Sequence, residues 1–156
     1  LAQQISVAGA TTLSGRIAQK FGRVVPGAPD GLDRVSPRPS DLARASVDEI
    51  RAIGMPEPRA QTLSLLSRAI DEGLVDLESR TDASDAIARL RTIPGIGPFT
   101  AHVIAMRVLR DPDAFPENDL FVVRRLGPNA VRRAERWRPY RAYAVMHLWE
   151  DEGAKR

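Results

Sequence analysis

The sequence predicts an all-α fold, and three observations predict it. Apolar residues recur at three- and four-residue steps along most of the chain, no stretch of convincing length alternates between apolar and polar residues, and capping residues precede the periodic stretches. The 156 residues are 43% hydrophobic, which suffices for a single domain with its own core. We expect about nine helices and one long loop.

The first half of the chain is predicted to hold four helices and the long loop. Residues 22–39 contain seven glycines and prolines and are therefore predicted as the loop. Ser40 is predicted to cap the helix that follows, and Ser46 and Glu49 have the spacing of a capping box for the next. The predicted helices cover residues 2–21, 41–45, a short helix that is capped by Ser46 and stopped at Gly54, and 56–72.

The second half is predicted to hold five helices. Ser84 is predicted to cap the first of them, and Pro98 suits the first position of the second because its missing amide hydrogen is not needed there. Gly127 and Pro128 end the third. The predicted helices cover residues 85–92, 98–110, 120–126, 130–136 and 139–151, with a loop at 111–118.

Residues 90–101, LRTIPGIGPFTA, form a helix-hairpin-helix pattern. Gly95 and Gly97 allow the backbone to turn tightly and to approach an outside group closely. The first amides of the second helix are unpaired and carry the positive end of the helix dipole, so they form an anion site. DNA phosphate is the usual long anion, and the pattern predicts DNA binding without sequence specificity. It occurs in ligases, polymerases, nucleases and glycosylases alike.

Charge and composition narrow the function classes further. Seven arginines lie between Leu120 and Arg141 against one acidic residue, Glu135. Such an excess suits phosphate contacts, although a general use of arginine at exposed positions explains it equally well by itself. Together with the hairpin, the stretch favours contact with nucleic acid. The chain has no cysteine, which excludes disulfides, thiolate metal sites and iron–sulfur clusters. It also has no long apolar run and no signal peptide, so we expect no membrane association and a cytoplasmic, nucleoid-associated protein.

Four stretches together resemble the helix-hairpin-helix DNA glycosylase superfamily, and within it the 3-methyladenine DNA glycosylase II (AlkA-type) branch. They span nearly the whole chain in the order found in that family. The chain begins inside a predicted helix, and the N-terminal β-rich domain of the family has no counterpart, so we expect residues 1–156 to be an N-terminally truncated, two-lobed glycosylase domain with its hairpin at about 85–110. The stretches are QQISVA at 3–8, IGMP with Arg59-Ala60, PGIGPFTA at 94–101, and AERWRPYRAYA at 134–144 through Trp149.

The resemblance makes Asp119 the expected catalytic residue. It lies 22 residues after Gly97, at the start of the helix predicted over 120–126. Cleavage of an N-glycosidic bond produces an oxocarbenium-like sugar, which a neighbouring carboxylate stabilises, or the carboxylate polarises the attacking water. Backbone amides at a helix start keep such an Asp ionised. An Asp there is otherwise a simple helix cap, and Glu117 and Asn118 are the nearest rivals for the role.

One position indicates the reaction subclass. In the bifunctional relatives a lysine two residues after the second hairpin glycine forms a Schiff base with the sugar. This chain has Phe99 there, and its two lysines, Lys20 and Lys155, lie outside the motif. The resemblance therefore implies a monofunctional glycosylase that uses water and has no lyase activity. The alternative from another class is a DNA-binding module that keeps the hairpin but does no chemistry.

The remaining site residues are also implied by the resemblance. Phe99 and Trp149 match aromatic positions of the base pocket, whereas the third aromatic position is Val103, which puts the breadth of substrates in doubt. Gln4, beside Gln3, matches the residue that fills the gap left by the extruded base. Gly95, Gly97 and Thr100 are expected to contact DNA. The carbonyls matching those that hold a structural Na⁺ or K⁺ in the superfamily belong to Arg91, Ile93 and Ile96.

We therefore expect a monomer that acts on double-stranded DNA containing alkylated bases and requires no cofactor. Trp137 is expected in the core, against Tyr140 and Tyr143. His102 and His147 are expected to be packing residues with satisfied hydrogen bonds rather than ligands.

Overall fold

The computed structural model describes residues 6–29, 31, 33–77 and 82–153. Within these ranges the chain forms nine α-helices and one 3₁₀ turn, Glu135–Trp137, and the isolated antiparallel bridge between Val24 and Arg34 is the extent of its β structure. The all-α prediction is confirmed. The helices are α1 (Val7–Phe21), α2 (Pro39–Arg44), α3 (Val47–Arg51), α4 (Glu57–Asp71), α5 (Ala83–Arg91), α6 (Pro98–Arg107), α7 (Leu120–Leu126), α8 (Ala130–Ala134) and α9 (Arg141–Gly153).

The chain divides into two compact units, in agreement with the two-lobed prediction. The N-terminal unit consists of Leu1–Val75 and Ile93–Gly95, and the C-terminal unit consists of Asp76–Thr92 and Ile96–Arg156. None of the described helices combines the length and the apolar character that crossing a bilayer requires.

The core of the N-terminal unit forms where α1 packs with α3 and α4. Its fully buried centre is Ile50, with Leu13 and Ile17 contributed by α1 at a four-residue spacing. Two cations of α1 close the end of α3: Arg16 donates to the Ile53 carbonyl at 2.9 Å, and Lys20 to the Glu49 carbonyl at 2.6 Å. Cations at a helix C-terminus stabilise its exposed carbonyls.

The core of the C-terminal unit is formed by α6 to α9 and the loop before α7. Val122 and Val145 are its fully buried centre, and Phe115 of the loop is 3% exposed. Trp137, Leu148 and Trp149 pack against this cluster while remaining partly exposed. The loop at 111–118 is therefore part of the hydrophobic core rather than a surface connection.

The helix starts confirm one predicted cap and correct two. The Ser46 box is present, with Ser46 Oγ accepting from the Glu49 amide at 3.2 Å and Glu49 accepting from the Ser46 amide at 2.8 Å. Ser84 is not the cap of α5, because Asp82 precedes the helix and accepts from the Ser84 amide at 2.9 Å. Ser40 does not cap α2, which begins at Pro39 with the Asp41 carboxylate accepting from the Arg38 amide.

Candidate functional site

The turn of the hairpin is formed around Gly95, as predicted. Gly95 has φ +88°, a left-handed backbone conformation that residues other than glycine rarely adopt. A Cβ at this position would lie 2.0 Å from the Thr62 hydroxyl. That hydroxyl is 3.0 Å from the Pro94 carbonyl, to which it donates, and 2.9 Å from the Pro58 carbonyl. Within the N-terminal unit, α4 thus holds the turn, and the absence of a side chain at 95 makes this contact possible.

Gly97 behaves differently from the prediction. Its backbone is extended, at φ −84° and ψ 175°, so it does not make the tight turn. It is the N-cap residue of α6, followed by Pro98 at the first helical position as predicted, and its carbonyl accepts from the Ala101 amide. A Cβ at 97 would meet no protein atom within 4 Å. The fold itself therefore does not require glycine at position 97. A group from outside the protein that approaches this backbone closely would require it.

Asp119 lies at the start of α7, where the sequence placed it, and is the most distinctive carboxylate of the C-terminal unit. It is only 5% exposed, and its Oδ1 accepts from the Val122 amide at 2.8 Å. Its own carbonyl accepts from the Val123 amide, which fixes the backbone on both sides of the side chain. Glu117 and Asn118, its two rivals in sequence, are both exposed. Burial together with helix capping distinguishes Asp119 from them.

The loop that leads to Asp119 is held by a charged cluster. Arg141, at the start of α9, donates from Nε and Nη2 to the two oxygens of Asp113, each at 2.8 Å. The Arg141 guanidinium also lies 5.6 Å from the centre of the Phe115 ring. Arg138 adds a second ion pair to Asp113, and Glu135 accepts from both arginines. Burial raises the pKa of Asp113, but hydrogen bonds from Arg141 and the charges of Arg141 and Arg138 outweigh this and lower it.

Several arginines of the arginine-rich stretch also make contacts within the protein. Arg138 and Arg141 are engaged in ion pairs, Arg133 donates to the Leu126 carbonyl at 2.7 Å, and Arg136 lies over the Trp137 ring. Arg124 and Arg132 are solvent-exposed. Much of the local excess of arginine therefore stabilises the C-terminal unit.

Two of the three residues predicted for the base pocket occupy one face of α6. Phe99 and Val103 are four residues apart, so their side chains lie on the same side of the helix, and Phe99 is 37% exposed. Arg107, four residues further, continues that face. Its guanidinium lies 5.8 Å from the centre of the Trp149 ring, which connects the half-buried Trp149 of α9 to the same face. Thr100 is half-buried in the first turn of α6.

Three expectations about aromatic and histidine residues need correction. Trp137 packs against the core as predicted, but Tyr140 and Tyr143 are 61% and 58% exposed and contact each other edge-to-face. His147 is exposed rather than packed. The hydrogen-bonding capacity of His102 is not satisfied, because its buried Nδ1 has no hydrogen-bond partner. Burial and the nearby charge of Arg141 lower the pKa of His102, and the opposing effect of Glu117 is smaller.

The remaining predicted site residues are backbone groups or lie outside the described residues. Gln3 and Gln4 belong to the latter group. Arg91 is the last residue of α5, and Ile93 and Ile96 lie between α5 and α6, so the cation site on their carbonyls stays a prediction. No cluster of three or more histidine or carboxylate side chains suited to a metal ion occurs among the described residues.

Comparison with known proteins identifies the family. Residues 1–138 match the HhH-GPD superfamily of base excision DNA repair proteins. The chain belongs to this superfamily. It is 38% identical over 157 aligned positions to DNA-3-methyladenine glycosylase 2 of Escherichia coli K12, an alignment that covers 98% of this chain and 55% of that protein. The chain thus spans about half the length of this HhH-GPD relative.

Solved structures of the superfamily have the same fold. The 3-methyladenine DNA glycosylase of Archaeoglobus fulgidus matches with a TM-score of 0.73 and 27% identity, covering 94% of this chain and 53% of that one. An 8-oxoguanine glycosylase/lyase of Clostridium acetobutylicum in complex with DNA matches with a TM-score of 0.81 and 17% identity, covering 98% and 57%. The second likeness, at such low identity, concerns the fold alone.

Two groups of residues near the candidate site were not found by sequence reasoning. Arg107 falls four residues after Val103, a spacing that could have placed it on the pocket face, but its contact with Trp149 depends on how α6 and α9 pack. Asp113 and Arg141 are 28 residues apart and no local pattern joins them. The sequence placed Asp113 in the loop at 111–118 and counted Arg141 among the arginines suited to phosphate contacts.

Proposed function

We propose that the protein is a monofunctional DNA glycosylase that hydrolyses the N-glycosidic bond of alkylated purines, of the 3-methyladenine type, in base excision repair. The observation that carries this proposal is Asp119, a buried carboxylate at the start of a helix, 22 residues after the hairpin of a superfamily member. The similarity to the E. coli enzyme over nearly the whole chain supports the substrate class.

In this mechanism Asp119 stabilises the cationic sugar. The Val122 amide donates to Oδ1 and fixes the orientation of the carboxylate, which leaves Oδ2 as the oxygen that acts on the sugar. As the bond to the base breaks, positive charge develops on the sugar ring, and a fixed negative charge in a poorly hydrated position favours that transition state. The same carboxylate polarises the water that adds to the sugar.

The absence of a lysine at position 99 supports hydrolysis without strand cleavage. A Schiff base requires an amine beside the sugar, and the matching residue is Phe99. Lys20 lies in α1, where it closes the end of α3. Water is therefore the nucleophile, and the product is an abasic site in an intact strand.

The hairpin supplies DNA affinity in this proposal. Backbone amides that follow Gly95 and Gly97 donate to a phosphate, and the open space above Gly97 leaves room for the close approach of the strand. The carbonyls of Arg91, Ile93 and Ile96 are hard oxygen ligands that suit Na⁺ or K⁺. When bound, such an ion adds positive charge near the phosphate.

Base recognition rests on the face of α6 and on α9. Phe99 and Trp149 offer aromatic surfaces for the flipped base, and Val103 between Phe99 and Arg107 leaves more room than an aromatic residue. Gln4 fills the gap left in the duplex. The substrate is double-stranded DNA, and the protein acts as a monomer.

A base-release assay tests the proposal. Purified protein is incubated with duplex DNA methylated by an alkylating agent, and the released bases are separated by chromatography and identified by mass spectrometry. We expect free 3-methyladenine and abasic sites in unbroken strands. Tight binding of the same duplex with no released base would instead make the protein a non-catalytic DNA-binding module.

A further inference from the structure

The pocket face of α6 ends in a fixed positive charge. Phe99, Val103 and Arg107 follow one another at four-residue steps, so the arginine shares a side of the helix with the two residues proposed to receive the base. Arg107 lies in the last turn of α6, where the helix dipole favours a cation. Among the described side chains, no carboxylate forms an ion pair with it.

The charge is placed against the aromatic residue proposed to stack on the base. The Arg107 guanidinium carbon lies 5.8 Å from the centre of the Trp149 ring, within the range of a cation–π contact. Trp149 is half-buried, because part of its indole packs against the core cluster of the C-terminal unit. The ring surface left for a ligand is therefore limited and already faces a cation.

A second cation on the same indole meets electrostatic repulsion. Some alkylated bases carry a positive charge in DNA, whereas deaminated bases such as hypoxanthine are neutral. A cationic base stacked about 3.5 Å from the other face of the Trp149 ring lies about 9 Å from the guanidinium. The repulsion disfavours it roughly two-fold in bulk water and about twenty-fold at an effective dielectric constant of about 20. A neutral base of similar size avoids this repulsion.

We propose that Arg107 is a specificity-determining residue that, through its position on Trp149, reduces the advantage of cationic alkylated bases over neutral bases of similar size in this site. The inference rests on the proposed function, since it concerns the same pocket. Arg107 acts on the choice of substrate and leaves the role of Asp119 untouched.

The test compares two lesions in one duplex context. Single-turnover excision rates of 7-methylguanine, which is cationic, and hypoxanthine, which is neutral, are measured for the wild type, Arg107→Met and Arg107→Lys. We expect the ratio of the 7-methylguanine rate to the hypoxanthine rate to rise about five-fold or more in Arg107→Met, which keeps the length of the side chain without its charge. Arg107→Lys keeps the charge and should keep the ratio near that of the wild type.

Two results would overturn the inference. One is a ratio in Arg107→Met within two-fold of the wild type, and the other is an equal rise in Arg107→Lys, since that variant is still cationic. Arg107 is exposed, so an unchanged melting temperature is the control for folding.

A binding measurement separates this inference from the proposed function. In a Trp137→Phe background, Trp149 is the remaining tryptophan, and its fluorescence reports the binding of 7-methylguanosine or inosine at about pH 6, where the former is cationic. Arg107→Met should strengthen binding of 7-methylguanosine relative to inosine by a similar factor. If the wild type releases no base from DNA, the proposed function fails, while this ratio still decides the role of Arg107.

Discussion

Arg141 gives the sharpest prediction about stability, because one side chain holds the loop before Asp119. It donates two hydrogen bonds of 2.8 Å to Asp113 and lies over the Phe115 ring, and its side chain is 13% exposed against 20% for that of Asp113. Breaking a fully buried ion pair costs about 3 to 5 kcal/mol. Here the pair is partly solvated and Asp113 keeps Arg138, so we expect Arg141→Ala to lower the free energy of unfolding by about 2 to 3 kcal/mol.

Thermal and urea denaturation measure this loss directly. For a chain of this length it corresponds to a fall of roughly 5 to 10 °C in the melting temperature. Arg138→Ala is the matched control: it removes the other arginine on Asp113, but its side chain is 50% exposed, so we expect a clearly smaller effect. Arg141→Lys should lie between, because lysine cannot make the paired contact. Equal losses in Arg141→Ala and Arg138→Ala would refute the reasoning.

Three further predictions follow from the same geometry. Gly95→Ala should lower the melting temperature, since φ is +88° and Thr62 occupies the space of the new methyl group. Gly97→Ala should keep the melting temperature but weaken DNA binding, measured by fluorescence anisotropy. The reverse pattern would contradict a structural role for Gly95 and a DNA-contact role for Gly97. Because the pKa of Asp113 is lowered in the folded state, its ionised carboxylate stabilises the fold at any pH above its ordinary pKa of 3.8, and this stability is lost as the pH falls through the folded-state pKa. Asp113→Asn should therefore lose less free energy of unfolding than the wild type between about pH 5 and pH 2, measured by urea denaturation. The same loss in both proteins would contradict the role of the Asp113–Arg141 pair. Borohydride should trap no covalent adduct with damaged DNA, as judged on denaturing gels, and a trapped adduct would show that another amine replaces the missing lysine.

Local patterns predicted most of the helices. The four-residue spacing of Leu13 and Ile17 and the Ser46 capping box require only neighbouring residues, and both are present as predicted. The same holds for Asp119 as the first residue before α7. These features depend on hydrogen bonds within one turn, which a sequence displays directly.

Contacts between distant residues were not predictable in this way. Seven arginines close together indicated a phosphate surface, yet Arg141 is bound to a carboxylate 28 residues earlier, and only packing of α9 against the loop reveals it. Both hairpin glycines were expected to turn the chain, but of the two only Gly95 adopts the left-handed conformation, and Thr62 of α4, 33 positions earlier, packs against it. The His102 ring likewise needed its buried surroundings to be known before its unpartnered nitrogen could be recognised.

The central claim is that the charge of Asp119 drives bond cleavage, and Asp119→Asn tests it most directly. Asparagine caps a helix about as well as aspartate, so the Val122 hydrogen bond and the fold should survive while the charge is lost. We predict that the single-turnover rate of 3-methyladenine release falls by on the order of 100-fold or more with an unchanged melting temperature. Glu117→Gln, which alters an exposed carboxylate two residues away, should keep the rate of the wild type. Retained activity in Asp119→Asn, or an equal loss in Glu117→Gln, would contradict the account.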